Sequence, residues 1–233
     1  MRILLHSISA ALAAVLFPGP ATADATASDP CIAQPPAAVR HAALRARAPA
    51  AQAGLMLALP VDTPPLHGDG GRLRYDMFYN DVAEGWSWQP QARPEDEDYY
   101  RWKFLPLQSL PETGQSYVQE DMAGVPQETR VERRDDYFFA FDNPYEFYPR
   151  GADGFVVPLP PDAAGASLRL IALARLGEPA MAESTTFWKA VHARPVDFTL
   201  KKHYFVGTLA ALVVCDARSG RELARLVPAE VQR

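Results

Sequence analysis

The stretch TRVERRDDYFFAFDNPYEFYPR (129–150) sets seven aromatic residues, Tyr137, Phe138, Phe139, Phe141, Tyr145, Phe147 and Tyr148, directly behind the charged run Arg133, Arg134, Asp135 and Asp136. Aromatic side chains at that density leave water on folding, so the segment is the expected centre of the core. From 127 to 142 it reads as one long strand. Thr129, Val131, Tyr137, Phe139 and Phe141 share one parity, yet Arg133 and Asp135 fall on the same side. Either the strand leaves the core there or a bulge shifts its register.

Working outward toward the N-terminus, the turn cluster His67-Gly68-Asp69-Gly70-Gly71 precedes an alternation of Leu73, Tyr75, Met77 and Tyr79 with Arg74, Asp76, Phe78 and Asn80. Such period-two alternation marks a half-buried strand. A second strand starts near Tyr99, with Tyr100, Trp102 and Phe104 on one face, and Pro106 either ends it or marks a sheet edge. A short strand is expected over 116–119. Toward the C-terminus, strands are expected over 155–159, 167–176, 187–194 and 196–200. A final hairpin follows, 204–215 and 221–227, turned by Asp216-Ala217-Arg218-Ser219-Gly220.

Short strands between closely spaced turns predict a mainly β fold, an antiparallel β-sandwich or barrel-like domain. The 22 prolines in 233 residues support this, since proline suits edges and loops better than helix interiors. One short helix is expected over 37–47, bounded by prolines on both sides, unless that alanine-rich lead-in is disordered. The chain therefore divides into a leader (1–23), an Ala/Pro-rich N-terminal segment (24–65) and a single β-rich domain (66–233).

The leader reading rests on Arg2 as a positive start, a mostly apolar run over 3–17, and Ala21-Thr22-Ala23 as a small-x-small cleavage site. Pro18 and Pro20 end the apolar run too early for a membrane span, so no transmembrane segment is expected in the mature chain. A periplasmic or secreted location follows. In that oxidising setting Cys31 and Cys215, the two cysteines of the chain, are expected to form a disulfide. It would tie the start of the mature chain to a late strand.

Charge and motifs narrow the function by exclusion. A formal charge of −5 without a Lys/Arg-rich run argues against nucleic-acid binding. No serine stands in a Gly-x-Ser-x-Gly frame, and there is no phosphate-binding glycine loop. The histidines His41, His67, His192 and His203 show no HExxH and no pair at ligand spacing, so neither a metal nor a cofactor is expected. The acidic run over 95–98 lacks the calcium-loop frame and reads as a solvated loop.

Two sets of residues remain as candidates for ligand binding. Trp86 and Trp88, two apart, project to one side of an extended segment, either as buried anchors or as a platform for stacking sugar rings. Arg133 and Arg134, beside Tyr137, either form a solvated patch or line a polar pocket in which an arginine holds an anionic group. The resulting expectation is an exported, non-catalytic binding or envelope-associated module with a protein or glycan partner in the cell envelope. The competing reading is an extracytoplasmic hydrolase, with glycans as a candidate substrate, whose carboxylates meet only in the fold.

Overall fold

A computed structural model describes residues 29–63, 66–67, 71–76, 102–120, 124–149, 152, 154–191 and 193–229. The leader, Trp86, Trp88, the acidic run over 95–98 and His192 lie outside the described residues.

The chain is mainly β, as its alternation predicts. Among the described residues, ten strands follow one α-helix: α1 (Ala37–Arg45), β1 (Met56–Pro60), β2 (Leu66–His67), β3 (Arg72–Asp76), β4 (Lys103–Thr113), β5 (Tyr117–Glu120), β6 (Pro126–Phe141), β7 (Gly154–Pro158), β8 (Ser167–Trp188), β9 (Val196–Asp216) and β10 (Glu222–Leu226). Eight of the strands form one sheet in the order β1-β8-β9-β6-β4, with β2 on β8, β10 on β9 and β5 on β6. The other two, β3 and β7, pair with each other. Antiparallel pairing dominates, but β6 and β9 run parallel, which makes the large sheet mixed.

Length sets β8 and β9 apart. At 22 and 21 residues they each run roughly 70 Å along the chain, several times a typical strand. Residues 167–176 and 187–188 belong to one strand, as do 196–200 and 204–215. Sequence alternation lapses between those pieces because the β8–β9 register shifts between Leu176 and Met181, and because β9 carries consecutive lysines there, Lys201 exposed and Lys202 buried. Pro195 lies in the connection between the two strands, where Val191 and Arg194 form an isolated bridge.

Pro106 does not end β4. It sits where the β4–β6 register shifts, between Pro106 and Gln108. A proline is tolerated there because an edge strand needs no ladder donor on its outer side.

One face of the sheet carries the main core. Leu168, Leu170, Ala172, Ala174 and Leu176 of β8 pack with Leu209, Leu212 and Val214 of β9 and with Phe139 and Phe141 of β6. The same cluster takes in Leu73 and Tyr75 of β3, Phe155 and Val157 of β7, and Ala37 and Leu44 of α1, which together cover this face. Phe141, Phe147 and Tyr148 all lie against the Phe155 ring, at centroid distances of 6.2, 5.9 and 5.2 Å. The aromatic stretch is thus the core centre its composition predicts.

The opposite face holds two smaller clusters. Phe104, Phe138, Ala140, Tyr204 and Val206 form one, and Cys31, Ile171, Val213 and Cys215 the other. The expected disulfide is present: Cys31 and Cys215 are bonded, with Cα atoms 5.6 Å apart and a sequence separation of 184.

The helix is short and alanine-rich, yet it is well held. Ala37, His41 and Leu44 repeat at helical spacing and are its buried residues. The Gln108 side chain accepts a bond from the Ala38 N–H, one of the unpaired donors of the first turn. At the far end, buried Gln52 donates to the carbonyls of Leu44 and Arg47, at 3.1 and 2.9 Å. Both α1 and β1 precede residue 66, and both join the main core or sheet.

Candidate functional site

The charged interruption of β6 is resolved by its register. From Arg130 opposite Val196 to Phe141 opposite Gly207 the β6–β9 pairing is unbroken, so no bulge intervenes. The strand leaves the covered core instead. Beyond Tyr137 and His203, which are register partners, the sheet continues as an open arm built from β4, β6, β8 and β9.

On this arm Glu112, Arg133, Arg134, Asp135, Thr199 and Lys201 line an open cavity of about 390 Å³. Arg133 lies opposite Thr199, and Asp135 opposite Lys201, on the strand parity that also carries Tyr137 and His203. Strand alternation splits the two candidate arginines. Arg133 belongs to the Tyr137 face. The Arg134 guanidinium turns to Asp136 on the other, with Nε and Nη2 at 3.0 and 2.9 Å from Oδ2, and lies 5.8 Å over the Phe198 ring. Asp136 is buried, and it also accepts a 2.7 Å bond from the Ser109 hydroxyl. Arg134 thus borders the cavity while its charge is already engaged.

At the border between core and arm, α1 lowers His41 onto the sheet. Its ring meets Tyr137, His203 and Phe205 edge-on, at centroid distances of 5.7, 5.0 and 5.5 Å. Tyr137 stacks on His203 at 4.6 Å with the planes 15° apart. On the other flank, Glu183 of β8 is the register partner of His203. His203 is held at both ring nitrogens, with Nε2 2.9 Å from Asp135 Oδ1 and Nδ1 3.1 Å from Glu183 Oε1. The Arg45 guanidinium, one turn along α1 from His41, pairs with the same Glu183 oxygen.

Burial, the neighbouring His203 and Arg45 push the His41 pKa down to about 4, so its ring is neutral near pH 7. Burial first and Asp135 second raise the Tyr137 hydroxyl above its usual range. Tyr137, named from sequence for its place beside the arginines, forms one wall of this cluster. Spacing along the chain gave no sign of His41, Glu183 or His203 as a group, because α1, β8 and β9 bring them together only through the fold.

Comparison with family models, with curated proteins and with solved structures finds no match to this chain. What the fold and geometry define is a mainly β chain with an internal disulfide and a polar arm carrying an open cavity.

Proposed function

We propose that the protein is an extracytoplasmic, non-catalytic binding module that takes an acidic ligand of the cell envelope, such as a uronic-acid-bearing glycan, in the cavity on the sheet arm. The observation that carries this reading is the cavity lining, in which Arg133 and Lys201 stand on one open face of a continuously paired sheet, with Glu112 and Asp135 beside them. Cationic side chains on a preorganised strand ladder favour a carboxylate ligand through charge-assisted bonds.

The Cys31–Cys215 bond supports an oxidising location. Among the described residues, no helix is long and apolar enough to cross a membrane. Asp162, Asp197 and Asp216 are held below the usual carboxylate range, chiefly by hydrogen bonds from Arg221, Ala190 and Ser219 respectively. That direction is opposite to the one a carboxylic general acid requires, and none of the three lines the cavity.

Calorimetric titration with galacturonic-acid oligosaccharides, and with their uncharged galactose counterparts, tests the proposal. The acidic series binds, and R133A and K201A each weaken it by about tenfold, the loss expected for one charge-assisted bond. Equal binding of both series, or none, overturns it. Release of shortened oligosaccharides during the titration moves the reading to the hydrolase.

A further inference from the structure

We propose that His41, Glu183 and His203 form a site for a first-row divalent transition metal, zinc above all, with three protein ligands and a fourth position left to water or an incoming ligand. The three side chains each offer one ligand atom, and these atoms all lie within 4.8 Å of one another. Two imidazoles and one carboxylate are a donor set suited to zinc, and a set of three leaves its tetrahedral sphere open. This site stands apart from the anion reading of the cavity and does not depend on it.

Two observations separate the cluster from an ordinary surface ion-pair group. First, His41 is only 4% exposed, and its Nε2 has no hydrogen-bond partner. A buried, unsatisfied nitrogen of this kind costs free energy unless something occupies its lone pair. That atom lies 3.9 Å from Glu183 Oε1, too far for a hydrogen bond and on the scale of two ligands sharing an ion. In a tetrahedral zinc site with bonds near 2.05 Å, ligand atoms stand about 3.3 Å apart, so a modest inward movement closes the set.

Second, the outer shell is already in place. Asp135 holds His203 at Nε2, which fixes the ring and leaves Nδ1 directed at Glu183. A carboxylate behind a ligating histidine is the usual device for setting its tautomer and raising its basicity. Tyr137, stacked on His203 and edge-on to His41, keeps both rings from turning away.

Without metal, the positive partner of Glu183 is Arg45, whose guanidinium sits against the same Oε1. Arg45 is more than half exposed and is free to swing into water when an ion takes that oxygen. The metal therefore competes with Arg45, a feature absent from a purely structural ion-pair cluster. Because the ligands come from α1, β8 and β9, the ion also staples the helix to the sheet.

The test uses the full chain, disulfide intact, stripped with chelator and titrated with Zn²⁺ by calorimetry and with Co²⁺ by visible absorption. One ion per chain is expected, with the intense Co²⁺ bands of four-coordinate geometry and a Tm that rises with added Zn²⁺. E183Q and H203Q, at sites that tolerate change better than buried His41, abolish the bands while circular dichroism stays native. D135N weakens Zn²⁺ by about 10–100-fold, the usual range for an outer-shell carboxylate. R45A tightens it. Absence of stoichiometric binding overturns the proposal, as does binding that survives both E183Q and H203Q, or an R45A variant that binds no tighter than the wild type.

Discussion

The two ends of the β8–β9 hairpin are the same backbone under different cover. At the disulfide end, Leu170, Ile171 and Ala172 face Val214, Val213 and Leu212 across the ladder, and all six are completely buried. Toward the tip, Thr185 and Phe187 face Lys201 and Thr199, and Phe187 is 57% exposed. Both ends keep the antiparallel ladder. The difference shows that main-chain pairing extends a sheet well past its hydrophobic core, while side-chain chemistry follows whatever packs on the face. Where α1 ends its cover, apolar residues give way to Tyr137, His203 and Glu183, and then to the cavity.

The contrast is broken most strongly at the covered end. Replacing both Cys31 and Cys215 by serine reopens a loop spanning 184 positions and lowers stability by up to about 5 kcal/mol on the loop-entropy argument, read from denaturant unfolding. Phe205 is fully buried, under His41 and opposite Phe139, and its truncation to alanine is expected to cost about 3–5 kcal/mol. The matching change at exposed Phe187 is expected to stay within about 0.5 kcal/mol. Similar costs at the two positions would mean that the arm is covered by something in solution.

A smaller effect sharpens the boundary between the halves. A Cβ on Gly207 would come within 2.1 Å of the Arg175 carbonyl oxygen, next to the register shift that follows Leu176. Because the clash is with backbone, G207A is expected to cost about 1–3 kcal/mol, visible as a lowered midpoint of unfolding. Gly177, whose added Cβ would meet nothing nearer than 3.6 Å, provides the control.

The remaining effect is on acid stability. His41 is neutral when folded, with a pKa of about 4, against an ordinary value of 6.5. Between these values the unfolded chain binds the extra proton, so stability of the metal-free protein falls as pH drops from about 6.5 toward 4. Urea midpoints across this window check the sign. A histidine gaining a partner would give the reverse slope.

Much of the β architecture is legible from local pattern. The alternation in 167–176 and 72–76, the aromatic block after Asp136, and the turn at 216–220 all express a side chain's preference for one face of its own strand. Pro106 leaves two readings open, strand end or sheet edge, and the edge reading holds; local pattern does not choose between them because edge position is a property of the whole sheet. The unity of β8 and of β9 is hidden because a register shift breaks the middle of β8 and charged residues stand on both faces in the middle of β9, so no alternation marks them.

Local pattern is enough to establish that this chain is mainly β, that its core centres on the aromatic run, and that two cysteines are available to pair. The tertiary structure alone decided which charges face which. Strand parity puts Arg133 and Arg134 on opposite sides, but only the parallel β6–β9 register sets Asp135 beside His203, and only the seating of α1 brings His41 to Glu183. Such contacts join residues remote in sequence, and a pattern confined to neighbours along the chain has no term for them.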